Sequence, residues 1–151
     1  MKSLVAYYSR TNITKKLAED IAKSLGADIE EITTEEKYDG KIGYARAGKH
    51  ALSEKIVEIS DSEYDTADYD VVYLGTPVWA GKSSTPLISY IQKNKDKFRQ
   101  VRFFATAGSR GFETTFEQLE KYSKTPQKTL ALTTKEIKKQ TYNDRLDEFL
   151  K

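Results

Sequence analysis

Apolar residues follow two alternating rhythms along the chain. Short continuous runs recur, and after each one apolar positions return every three or four residues. Leu4-Val5-Ala6-Tyr7-Tyr8 reads as a strand. From Thr14 to Leu25 apolar residues fall at 17, 18, 21, 22 and 25, the stripe of an amphipathic helix that Gly26 ends. Asp28 to Ile32 is a weaker strand, and Val71 to Leu74 has the unbroken apolar character of a strand covered on both faces. Pro86 suits a first helical turn, with Leu87, Ile88 and Ile91 on one face. Val101 to Ala105 is the next buried strand. Phe112, Phe116, Leu119 and Tyr122 then stand at helical spacing, with Phe112 expected to begin the core face. Leu130-Ala131-Leu132 is a short last strand. One final helix is expected over residues 135–150, with Ile137, Leu146, Phe149 and Leu150 inward.

Five strand–helix units in succession predict an α/β fold of three layers, a parallel sheet covered by helices on both faces. With five strands the open doubly wound order 2-1-3-4-5 is expected, in a single domain over residues 1–151. Residues 36–60 break the rhythm. They are expected to hold a short helix over Tyr44 to Leu52 and a short strand over Ile56 to Ile59.

Composition narrows the function. Lysine and arginine number 25 against 23 acids, so the net charge of +2 gives no general case for nucleic acid or an anionic membrane. No apolar run approaches the ~20 residues of a membrane span, and the N-terminus lacks a signal-peptide pattern. A cytoplasmic location is therefore expected. Cysteine is absent, which removes disulfides and thiol catalysis. The lone histidine, His50, is expected to be a solvated loop residue.

In a sheet of this order ligands bind beyond the carboxyl ends of the strands, where the strand order reverses. Three loops lie there. The first, Ser9-Arg10-Thr11-Asn12-Ile13-Thr14, gathers three hydroxyls and an amide before a helix. A helix N-terminus offers unpaired N–H groups and positive dipole, which suits a phosphate monoester. One of those residues would suffice as a helix cap. Walker A spacing and a dinucleotide glycine fingerprint are both missing. So is an acid cluster for magnesium, since Tyr8 and Ser9 follow the first strand. The second loop, Thr76-Pro77-Val78-Trp79-Ala80-Gly81, holds the only tryptophan between a proline and a glycine. An exposed Trp79 there suits a planar heterocycle; a partly buried packing role is the alternative. In the third, Thr106-Ala107-Gly108-Ser109-Arg110-Gly111, small residues let backbone groups approach a ligand.

The stretches VAYYSRTNITKKLAEDIA, YDVVYLGTPVWAGKSSTPLISYI and RFFATAGSRGFE together resemble the flavodoxin-like proteins, over nearly the whole chain. The resemblance implies non-covalently bound FMN. It implies Ser9, Arg10, Thr11, Asn12, Ile13 and Thr14 around the phosphate, and Thr76, Pro77, Val78, Trp79, Ala80 and Gly81 beside the isoalloxazine. Thr106, Ala107, Gly108, Ser109, Arg110 and Gly111 would close its other edge. The family's S-x-T-G-N-T loop differs here. Asn12 replaces the glycine and can keep a left-handed turn, while Ile13 replaces an asparagine and contributes only its N–H. The second stacking tyrosine of many flavodoxins is missing, so a more open flavin face is expected. Lys82 and Arg110, with Glu113 the one acid nearby, are expected to ease flavin reduction.

Three functions follow from the resemblance. They are an electron carrier acting on redox partner proteins or small acceptors, an NAD(P)H:quinone-type oxidoreductase, and a binding module with little electron traffic. The 36–60 insert is expected to act as a lid or a dimer contact, so a homodimer is among the expected assemblies. Nucleic acid and membrane partners are not expected.

Overall fold

The computed structural model describes all 151 residues. Its strands are β1 (Ser3–Tyr7), β2 (Asp28–Glu31), β3 (Val71–Trp79), β4 (Lys82–Ser83), β5 (Gln100–Ala107) and β6 (Thr129–Thr133). Its helices are α1 (Ile13–Leu25), α2 (Gly40–Leu52), α3 (Thr85–Lys93), α4 (Phe112–Tyr122), α5 (Thr134–Lys139) and α6 (Asn143–Leu150), with one 3-10 turn at Thr66–Asp68. The sheet order is β2-β1-β3-β5-β6, with β4 paired to β3 alone. Counting the five parallel strands, this is the 2-1-3-4-5 order expected from the sequence.

Register explains why the central runs are unbroken. Leu4 lies opposite Val72, Val72 opposite Val101, and Phe104 opposite Leu130. Successive side chains enter opposite layers. Leu4, Ala6, Tyr8, Val72, Leu74 and Phe103 pack on the α3 side, and Val5, Tyr7, Val71, Tyr73 and Phe104 pack on the α1 side. Gly75 is required at the crossing of the central strands, because a Cβ there would lie 2.1 Å from the Phe104 ring.

Several sequence expectations fail in detail. The final helix is two: α5 opens on a Thr133/Glu136 capping box and stops at left-handed Gln140, and α6 begins after Tyr142. Buried Tyr142 donates its hydroxyl to Asp20 of α1, which fixes the break. Helix α2 starts at Gly40, four residues before the predicted position. Residues 56–59 form no strand. That segment runs beside the continuation of β2, where Ser60 N–H donates to Thr33 O at 2.8 Å and Thr34 Oγ1 donates to Glu58 O at 2.7 Å. Phe112 is only half-buried; the buried residues of α4 are Thr115, Gln118 and Leu119, and Phe116 and Tyr122 pack against the core as expected. No helix is long and apolar enough to cross a membrane.

Candidate functional site

The carboxyl ends of β1, β3 and β5 bring the three loops together. In the first, Asn12 adopts φ 69° and ψ 2°, the left-handed turn expected of it. Lys15 N–H donates to Ser9 Oγ at 3.2 Å, and Lys16 N–H to Asn12 O at 3.1 Å. The N–H groups of Ile13 and Thr14 stay unpaired, and the first turn of α1 has no acid. Positive dipole thus emerges uncompensated where Thr11 and Asn12 are exposed. Thr14, 1% exposed, turns away from this mouth, and its Oγ1 bonds Thr106 Oγ1 at 2.8 Å. That contact ties the first loop to β5.

Arg10 is used differently from its neighbours. Its Nε donates to Tyr38 O at 2.8 Å and its Nη2 to Gly40 O at 3.2 Å, and the guanidinium lies 5.3 Å from the Tyr44 ring. The side chain placed by sequence around an anion therefore anchors the start of α2.

The second loop is tighter than the sequence indicated. Strand β3 continues through Pro77 to Trp79, and a two-residue turn, Ala80 (φ 51°) and Gly81 (φ 77°), returns it to β4. Positive φ at both positions is the hairpin geometry that matches strand twist. Trp79 is consequently not exposed, as expected above, but 7% exposed. Hairpin pairing turns its ring inward, 5.6 Å from Tyr8 edge-on and 4.7 Å from Tyr38. The platform expected to be open is packed by two tyrosines. Thr76 is fully buried, and its Oγ1 accepts from Ser84 N–H at 2.9 Å within a Ser83/Ser84 hydroxyl cluster.

Helix α4, which follows the third loop, clamps this hairpin. Thr114 Oγ1 donates to Gly81 O at 2.6 Å, and Ser83 N–H donates to Gln118 Oε1 at 2.7 Å. Gly111 (φ 96°) is required there, since a Cβ would stand 2.8 Å from Val78 Cγ1. Gly108, Ser109 and Arg110 are exposed, Ala107 and Lys82 half-buried, and neither Lys82 nor Arg110 is ion-paired.

His50 also departs from expectation. It lies within α2, 9% exposed, with Nδ1 2.8 Å from Tyr38 Oη. Burial pushes the Tyr38 and Tyr8 hydroxyls up to about 12, so both stay protonated at neutral pH. Burial also lowers the His50 pKa, with Lys55 adding repulsion. The donor in the Tyr38–His50 hydrogen bond is set by which nitrogen of the neutral ring carries the hydrogen. Tyr8 and Tyr38 were missed as site residues because they stand 71 and 41 positions from Trp79 and no local pattern joins them.

The site is thus an anion-ready helix terminus beside a buried aromatic cluster and a small, exposed loop. A family model for flavodoxin matches residues 2–150. No curated protein matches the chain by sequence. Among solved structures, a Lactobacillus acidophilus NCFM flavoprotein in complex with FMN is 24% identical, with a TM-score of 0.76 over 93% of this chain and 98% of that one. A Bacteroides uniformis protein described as a flavoprotein is 22% identical, TM-score 0.77, over 93% and 97%. One from Bacteroides eggerthii is 23% identical, TM-score 0.72, over 97% and 98%. At these identities the likeness establishes the fold.

Proposed function

The chain belongs to the flavodoxin family, and from that premise we propose that it binds FMN non-covalently and serves as an electron carrier. The observation that carries this reading is the start of α1: two unpaired N–H groups, no acid in the first turn, and a mouth lined by Ser9, Thr11 and Asn12. These donors fit a phosphate monoester. Trp79, Ala80 and Gly108 to Arg110 would line the ring, beside the Thr14–Thr106 floor. Bound FMN supplies the acceptance and release of one or two electrons. Lys82 and Arg110, free of acidic partners, favour negative charge on such a ring.

The test is a titration of apo-protein with FMN, read by Trp79 fluorescence and the visible spectrum. Because Trp79 is the only tryptophan, its emission reports one place. Strong quenching with a perturbed flavin spectrum is expected, and Thr14→Val should weaken it by loosening the loop. No quenching at micromolar FMN defeats the reading. Steady-state NAD(P)H oxidation with a quinone should be slow; rapid turnover would replace the carrier by the enzyme.

A further inference from the structure

Helix α2 is built inside out. Its buried face is Gly43, Ala47, His50 and Ala51, small residues apart from the histidine. Its large apolar side chains face solvent: Ile42 is 80% exposed, Tyr44 71% and Leu52 66%, and Ile56 just beyond is 51% exposed. Met1 is the only other exposed large apolar residue in the chain. Ile42, Ala45, Lys49 and Leu52 recur at i, i+3, i+7 and i+10, so they share one outward stripe. A surface helix normally turns that stripe toward the core, and concentrated exposed apolar side chains mark an interaction site.

Charge coincides with this face. Residues 37–55 hold five cations, Lys37, Lys41, Arg46, Lys49 and Lys55, and two acids, Asp39 and Glu54. That is +3 in a chain of +2, so the remaining 132 residues sum to −1. Of the five only Lys55 has an acidic partner, Glu36 at 4.0 Å. The surface is also rigidly joined to the candidate site, through Arg10 to Tyr38 and Gly40 and through Tyr38 to Trp79.

We propose that the outer face of α2 is a docking surface for an acidic redox partner protein with an apolar centre. The partner's redox role rests on the FMN reading above; the surface itself does not. Two copies of this face would set like charges against each other, which disfavours self-pairing. A flat anionic membrane that covered Ile56 as well would also meet Glu35, Glu36 and Glu58, which line one groove with it. A protein surface has only to complement the patch itself. Ile42 and Leu52 would supply the dry centre and the cations a polar rim.

The experiment titrates FMN-loaded, 15N-labelled protein with an oxidised acidic plant-type [2Fe–2S] ferredoxin, with basic cytochrome c as counter-probe. Amide shifts are expected over residues 41–56, with Kd rising about ten-fold between about 20 and about 200 mM salt. Lys41→Glu with Lys49→Glu should raise the low-salt Kd about ten-fold and flatten the salt slope. Ile42→Ser with Leu52→Ser should weaken binding several-fold and leave the slope unchanged. Shifts elsewhere, a Kd within about two-fold of the parent after charge reversal, or equal binding of cytochrome c at these residues would overturn the proposal. So would a doubled mass by light scattering that Leu52→Ser abolishes, or binding to vesicles of about 30% phosphatidylserine in the absence of ferredoxin binding. The visible flavin spectrum should be the same in all variants. If the parent takes up no FMN, the cofactor reading fails, and the shift map still decides the surface.

Discussion

Helices α1 and α2 each span 13 residues, α1 after the interior strand β1 and α2 after the edge strand β2. They solve the packing problem in opposite ways. Helix α1 buries Leu17, Ala18, Ile21 and Ala22, turns lysines and acids outward, and ends on left-handed Gly26. Helix α2 reaches its neighbours through Gly43, Ala47 and Ala51, so its backbone lies close to Tyr38, and its bulky residues point away. The first is held by side-chain burial. The second is held by close backbone approach, by Arg10 and by one buried hydrogen bond. A helix of the first kind stabilises the fold, while a helix of the second kind presents a surface.

Truncating the equivalent side chain in each helix should separate the two modes most sharply. Leu17 is fully buried, so Leu17→Ala should cost about 2–5 kcal/mol. Leu52→Ala should stay within about 0.5 kcal/mol, because that side chain is mostly in water. Urea denaturation measures both, and comparable losses would break the contrast. Within α2 two glycines give the next largest effect. At Gly43 a Cβ would meet the Tyr38 carbonyl carbon at 2.1 Å, and backbone cannot move aside as a flexible side chain does. Gly43→Ala should therefore cost about 1–3 kcal/mol. Nothing lies within 4 Å of the same position at Gly48, where Ala should gain about 0.5–1 kcal/mol of helix stability. Opposite signs in one helix are the expectation, and equal signs would remove close approach as the docking device.

The contrast also explains what could be read from the sequence. Strands β1, β3, β5 and β6 and helix α1 were legible because burial imposed unbroken runs or a 3.6-residue stripe. In α2 the apolar stripe faces outward and two glycines open the helix, so its length was underestimated. Trp79 was misjudged because Pro77 and Gly81 were read as shaping one loop around it. Pro77 in fact sits within β3 opposite Thr106, and the turn is only Ala80–Gly81. Asn-Gly would have announced such a turn; Ala-Gly does not. The start of α5 was readable, since Thr133 and Glu136 have the spacing of a capping box, but the break was not, since Gln140 rather than glycine takes the left-handed cap. The left-handed turn at Asn12 was legible from local chemistry. The Tyr8–Tyr38–Trp79 cluster was not, because it exists only after β1, the insert and β3 converge.

The smallest expected effect is one of pH, and it again divides the helices. The buried face of α1 carries no titratable group. That of α2 carries His50, whose pKa lies below its ordinary value because burial disfavours the imidazolium and Lys55, Arg46 and Lys49 repel it, with Glu36 opposing. An unfolded histidine takes up its proton near pH 6.5, and folded His50 does so only at lower pH. Its contribution is therefore fully present above about pH 6.5 and is lost as pH falls through the folded value. Protonation puts a hydrogen on both ring nitrogens, so the contact with Tyr38 then persists only with Tyr38 Oη as acceptor. Parent and His50→Gln urea midpoints should differ by an amount constant above neutrality that shrinks as the solution is acidified, the carboxylates common to both cancelling in the difference. Leu17→Ala should show a loss that does not vary over the same range. A His50→Gln difference independent of pH would mean that the histidine is not held neutral, and that α2 is held by its glycine contact and Arg10 alone.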